Sequence, residues 1–183
     1  MRKFGLAVAA VALAAAVSAT SVEAQSSSRI IFGGGSTLAL GDLNDGFNNG
    51  PNLIAGYELV SKSGFGFRVD GMWHRVSAEV DNVNLRVFNG TGNLIYAFKT
   101  AGSFKPYLIG GVGVYNTKLG GSAAPVGTEG STDFGWNVGA GFEGGKKLLY
   151  FAEARFHSIE TDGDGSARVL PISVGVKIPV GAK

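Results

Sequence analysis

Glu58, Arg68, Asp70, His74, Lys99, Glu143, Glu153, Arg155 and Lys177 are the residues of this chain whose types and spacing invite chemistry. Each falls on the polar parity of a segment in which apolar residues alternate with polar residues or glycine, so all are assigned to one face of a sheet. Charges gathered on an enclosed face must pair, because an unpaired buried charge costs several kcal/mol. The expected product is a structural plug of ion pairs around Arg68, Asp70, Glu153 and Arg155, with Glu58, Glu143 and Lys177 in the same network. A narrow ion path, gated when one pair exchanges partners, is the alternative chemistry of the same residues.

Other motifs carry less. His157 and Ser158 are adjacent, and neighbours on a strand point to opposite faces, so they cannot act together as base and nucleophile. Gly139, Gly141 and Gly144 spell G-x-G-x-x-G, but that fingerprint needs a helix opened by these glycines, and here a strand runs through the first two. Asp162-Gly163-Asp164-Gly165 starts like a calcium loop, yet its twelfth position is Ser173 rather than Glu. Asn89-Gly90-Thr91 matches a glycosylation acceptor and is assigned no role. Without Cys there is no disulfide, thiol nucleophile or Cys-held metal. A balance of 16 Lys and Arg to 14 Asp and Glu leaves no basic footprint for nucleic acid. No catalytic residue, metal or cofactor is expected.

Long strands are needed to position the charged set. Phe134, Trp136, Val138, Ala140 and Phe142 alternate with Gly135, Asn137, Gly139, Gly141 and Glu143. Ile172, Val174, Val176 and Ile178 alternate with Ser173, Gly175 and Lys177, and Phe65, Phe67, Val69 and Trp73 with Arg68, Asp70, Met72 and His74. The pattern predicts strands at 65–75, 133–143, 148–158 and 168–180, and weaker versions of it at 29–40, 52–60, 86–99 and 105–116. Typical soluble strands have roughly 5–6 residues, whereas about 9–11 tilted residues cross a bilayer, and several of these segments are that long. Connections alternate: Gly41–Pro51 is long, Ser61–Gly64 short, Ser77–Asn84 long, Thr100–Phe104 short, Thr117–Ser131 longest, Gly144–Lys147 short and Glu160–Ala167 long. This is the pattern of an all-β, eight-stranded antiparallel up-and-down transmembrane β-barrel with both termini on the periplasmic side.

Aromatic residues sort to the strand ends. Tyr57, Phe65, Phe67, Phe98, Tyr107, Phe142 and Tyr150 lie near short connections; Trp73, Phe88, Tyr115, Phe134, Trp136 and Phe156 lie nearer long ones. Two girdles at the membrane interfaces are expected. A soluble periplasmic barrel is the competing arrangement, with the apolar parity turned inward around an apolar ligand. It calls for a charge-rich outer face, whereas the opposite parity is mostly glycine and isolated polar residues. Residues 1–24 read as a cleaved export signal: Arg2 and Lys3, the apolar run Gly5–Val17, and Val22 and Ala24 preceding a cut before Gln25, with a cut after Ala19 as second option. Residues 25–183 then form the barrel domain. No later run approaches 18 apolar residues, so no transmembrane helix is expected.

The stretches KPYLIGGVGVY (105–115), GWNVGAG (135–141), FAEARFH (151–157) and PISVGV (171–176) resemble the small outer-membrane β-barrel domain family, which includes OmpA-type, OmpX-type and opacity-protein barrels. The resemblance covers the mature chain and implies eight antiparallel strands, location in the outer membrane and, usually, no enzymatic activity. The sequence departs from it at the end, where Pro179 stands in the last strand and Lys183 replaces the usual terminal aromatic residue read by the insertion machinery. The expected role is structural or surface interaction without catalysis; a porin-like or gated narrow pore is the alternative. Expected partners are outer-membrane lipid, lipopolysaccharide and the barrel-insertion machinery, with no ligand specified for the outer loops. Asp42, Asp45, Glu79, Asp81, Glu129, Glu160, Asp162 and Asp164 in those loops are candidates for divalent-cation bridging to lipopolysaccharide, and Lys62, Lys105, Lys146 and Lys147 on the turn side for solubilising charge.

Overall fold

The computed structural model describes residues 26–41, 46–78, 83–122, 130–161 and 165–180. Residues 1–24, where an export signal is expected, and the acidic loop residues other than Glu160 lie outside the described residues. Period-two alternation is expressed as β1 (Ser26–Leu40), β2 (Gly50–Ser61), β3 (Phe65–Ala78), β4 (Asn84–Ala97), β5 (Phe104–Gly120), β6 (Ser131–Gly145), β7 (Leu149–Glu160) and β8 (Ser166–Val180). Each strand pairs antiparallel with the next, and β1 pairs with β8 to close an eight-stranded barrel. A two-residue ladder, Phe47–Asn48 against Ala78 and Ser77, adds to β3 within the first long connection. The strands outrun the periodic segments: β5 has 17 residues and β6 has 15. Crossing a bilayer takes about 9–11, so these strands project beyond it, and there Asn116, Thr117, Lys118, Ser131 and Thr132 break the apolar alternation.

The register sets the tilt. From Arg29, the pairings lead to Glu58, Arg68, Asn93, Gly111, Asn137, His157 and Val169, then back to β1 at Ala39. The circuit returns ten residues further along its starting strand. With a rise of about 3.3 Å per residue and roughly 4.8 Å between strands, that offset tilts the strands by roughly 40° to the barrel axis. An eight-stranded ring at this tilt is just wide enough for side chains to fill it.

Sidedness is the reverse of a soluble protein. Leu53 is 60% exposed, Leu94 72% and Val174 60%, whereas Glu58, Arg68 and Lys177 are at 0%. This overturns the soluble arrangement with an apolar lining, because water would have to solvate the apolar face while the charges were withdrawn from it. Among the described strand residues, the outward face carries no charge until a rim at Arg75, Arg86, Lys118, Glu160 and Arg168 near the long connections. On the opposite end the turns are tight. Gly64 takes φ +100°, a left-handed conformation that side chains resist, and its N–H donates to the Ser61 carbonyl at 3.0 Å.

Closure of β1 on β8 leaves no strand edge from which unfolding can start. The unboiled barrel is therefore expected to keep its fold in SDS and migrate apart from the boiled chain on a gel; identical mobility with and without boiling would contradict a closed ring.

Candidate functional site in the barrel lumen

Inward-facing residues of the turn-side half form one continuous network. Glu143 on β6 accepts from Arg29 Nη1 at 2.9 Å and from Lys177 Nζ at 2.7 Å. Arg29 and Lys177 also donate to Glu58 at 3.1 and 3.0 Å. Glu58 accepts from Arg68 Nη2 at 2.8 Å, and Arg68 Nη1 donates to Glu153 at 2.8 Å. Glu153 accepts from Arg155, whose Nη1 reaches Asp70 at 3.0 Å. Asp70 is closed off by Thr91 Oγ1 at 2.8 Å and Asn93 Nδ2 at 3.3 Å. The Tyr107 hydroxyl donates to Glu153 at 2.9 Å, with Lys177 Nζ 4.3 Å from its ring centroid. The four cations and four carboxylates cancel, and all eight strands contribute a member. Every charged member has a partner, which is the condition for burying so many.

Arg29 belongs to this network although its strand, interrupted by Gly33, Gly34 and Gly35, showed only weak alternation. Lys99 does not: β4 ends at Ala97 and Lys99 is exposed in the turn beyond it. Tyr107 and Tyr115, assigned by sequence to the girdles, are corrected to the lumen, where they are 1% and 0% exposed. From Pro106 to Tyr115 both parities of β5 are apolar or glycine, so hydrophobicity does not tell its faces apart. Room for the rings comes from the next strand: a Cβ on Gly141 would stand 2.5 Å from Tyr107 Cζ, and one on Gly135 2.6 Å from Tyr115 Cε2. The other girdle residues, Tyr57, Phe65, Trp73, Phe98, Phe134, Trp136, Phe142, Tyr150 and Phe156, lie on the outside or at its edge. Phe65 packs on Tyr96 at 4.8 Å between centroids, Tyr96 on Phe98 at 4.9 Å, and Trp136 on Phe156 at 5.5 Å.

Above the ion pairs lies a layer of neutral polar groups. Thr37 Oγ1 meets His74 Nδ1 at 2.8 Å, Asn52 bridges Thr37 and Ser173, and the Tyr115 hydroxyl meets His157 Nδ1 at 2.8 Å. The two imidazoles approach to 5.9 Å between centroids. Their Nε2 atoms and the side-chain amides of Asn89 and Asn137 have no partner among the described residues. His157 is bound to Tyr115 and not to Ser158, which sits on the opposite parity in register with Trp136 and Arg168. Toward the long connections, Val76, Leu85, Val87, Tyr115 and Ile159 form an apolar layer, with Phe47, Leu119 and Ala167 packed on it. At the turn end a cavity of about 510 Å³ opens outward; its lining includes Arg29, Lys62, Lys99, Lys105 and Glu143. The ion-pair network is its floor.

A closed ring with an apolar exterior and a neutral, charge-filled interior defines a small membrane-spanning β-barrel. The chain belongs to the outer membrane protein beta-barrel domain family, whose model matches residues 7–177, and its location is the outer membrane. Among solved structures it is similar to Neisserial surface protein A, with TM-score 0.64 and 16% identity over 82% of this chain and 96% of that one. It is also similar to a major outer membrane protein from Thermus thermophilus, with TM-score 0.56, 10% identity and coverage of 84% and 98%. A third similar structure is Ail, the attachment invasion locus protein of Yersinia pestis, with TM-score 0.52, 14% identity and coverage of 84% and 99%. At these identities the likeness is one of fold. No curated protein sequence matches the chain.

Breaking the network is expected to cost more than crowding it. Glu153→Gln removes the carboxylate shared by Arg68 and Arg155, and urea unfolding in lipid vesicles should show a loss of about 3–5 kcal/mol. Gly141→Val forces the Tyr107 ring from its place and should cost about 1–3 kcal/mol by overpacking. A loss below about 0.5 kcal/mol for Glu153→Gln, the range of an ordinary surface change, would show that the pairs do not hold the lumen together.

Proposed function

We propose that this protein works as a sealed outer-membrane barrel with a structural or surface-interaction role, and that it catalyses no reaction. The observation that carries this reading is the neutral network from Arg29 and Glu143 to Asp70, which draws on every strand and closes the lumen behind the turn-end cavity. A plug held by shared, buried ion pairs fixes the wall and leaves the outer surface and loops as the parts that meet lipid, lipopolysaccharide and the environment. His157 and Ser158 face opposite ways, which speaks against a hydrolytic pair at that point.

A second reading, a gated narrow pore, is favoured by one feature. Glu58 is shared by Arg29, Arg68 and Lys177, and Glu153 by Arg68 and Arg155, so a cation can change partners without passing through an unpaired state. The neutral layer of His74, Asn89, Asn137 and His157 above it supplies polar groups along such a path.

Conductance in planar bilayers separates the two. The sealed barrel is expected to give no current steps after insertion has been verified by the gel shift. Regular unitary steps whose frequency changes in Glu153→Gln would instead establish the pore.

A further inference from the structure

The outward face keeps charge away from the apolar band, yet at the loop-side rim it places three cations in direct register. Arg75 on β3 is the cross-strand partner of Arg86 on β4, and Arg86 is the partner of Lys118 on β5. All three are exposed and share the outward parity of Trp73, Phe88 and Asn116, which occupy the preceding rung toward the membrane. Like charges directly opposite one another destabilise a sheet. None of the three forms an ion pair with a described carboxylate; the one side-chain hydrogen bond is from Arg86 Nε to Asn84 Oδ1 at 3.2 Å. Glu79 and Asp81, in the connection between β3 and β4, lie outside the described residues. The contiguous row spans three adjacent strands about 4.8 Å apart, a spacing that lets one multiply phosphorylated headgroup touch more than one cation.

We propose that Arg75, Arg86 and Lys118 form a binding site for the phosphate groups of the outer-leaflet glycolipid, lipopolysaccharide. The proposal deepens the sealed-barrel reading and rests on its orientation, with the long connections outside. Arginine and lysine are suited to this ligand: a guanidinium grips phosphate through two parallel N–H donors, and an ammonium serves as a compact point charge. Trp73 and Phe88, one rung below, are placed to lie against the sugar–acyl boundary of the same molecule. The row differs from the turn-side lysines in facing lipid, on strands, at the level where headgroups begin.

The test uses the full mature chain refolded in detergent, with bound lipid A counted by native mass spectrometry. Wild type is compared with Arg75→Gln/Arg86→Gln/Lys118→Gln and with Lys146→Gln/Lys147→Gln as control, each first checked for the gel shift. Each cation near an anionic lipid surface is worth about five-fold in binding, so the triple variant should retain at least ~10-fold less bisphosphorylated lipid A. The control should match wild type, lipid A stripped of phosphate should be retained poorly by both, and millimolar inorganic phosphate should not displace the glycolipid. Equal retention by the triple variant, equal retention of the dephosphorylated lipid, or displacement by free phosphate would overturn the proposal. A wild-type chain that shows no gel shift would overturn the barrel reading itself, and the proposal with it.

Discussion

Everything in this molecule depends on keeping a narrow lumen electrically neutral. Eight strands tilted by roughly 40° enclose a space that side chains must fill, and lipid outside forbids moving the charges outward. Four cations and four carboxylates therefore have to meet inside with none left over. Sharing makes this work: Glu58 and Glu153 each serve more than one cation, and Thr91, Asn93 and Tyr107 take up the remaining hydrogen-bonding capacity. Glycines on the inner face then give the long side chains room, as Gly141 does for Tyr107.

The lumen changes character along its axis. A cationic mouth leads to the ion pairs, then to the histidine and asparagine layer, and finally to an apolar layer below the long connections. On the outside the order is simpler: an uncharged apolar wall bounded by aromatic residues, then a charged rim. The strands project past the wall on the loop side, so this rim is built on rigid ladders and not on the loops themselves.

Much of this was legible in the sequence wherever the alternation was pure. In β3, β6, β7 and β8 the polar parity is marked by charged residues, and Arg68, Asp70, Glu143, Glu153, Arg155 and Lys177 could be assigned to one face from the pattern alone. Where both parities are apolar or glycine, the pattern is silent. That is why Tyr107 and Tyr115 read as girdle residues: what seats them in the lumen is Gly135 and Gly141 on the adjacent strand, and only the register brings those residues together. Arg29 carries no such mark because three consecutive glycines erase the period in β1. The cross-strand row of Arg75, Arg86 and Lys118 was invisible for a related reason: it is a property of pairing, and the residues are far apart in the chain.

The two strands that meet at the seam carry cations whose partners lie elsewhere in the ring. Arg29 on β1 and Lys177 on β8 both reach Glu58 on β2 and Glu143 on β6. An open sheet ending at β7 would hold Glu58 and Glu143 at opposite margins, both short of Lys177. The last strand thus supplies both the closing backbone ladder and the cation that offsets the surplus negative charge. A barrel without its final strand would therefore lack both the ladder that closes the ring and the cation that balances the network.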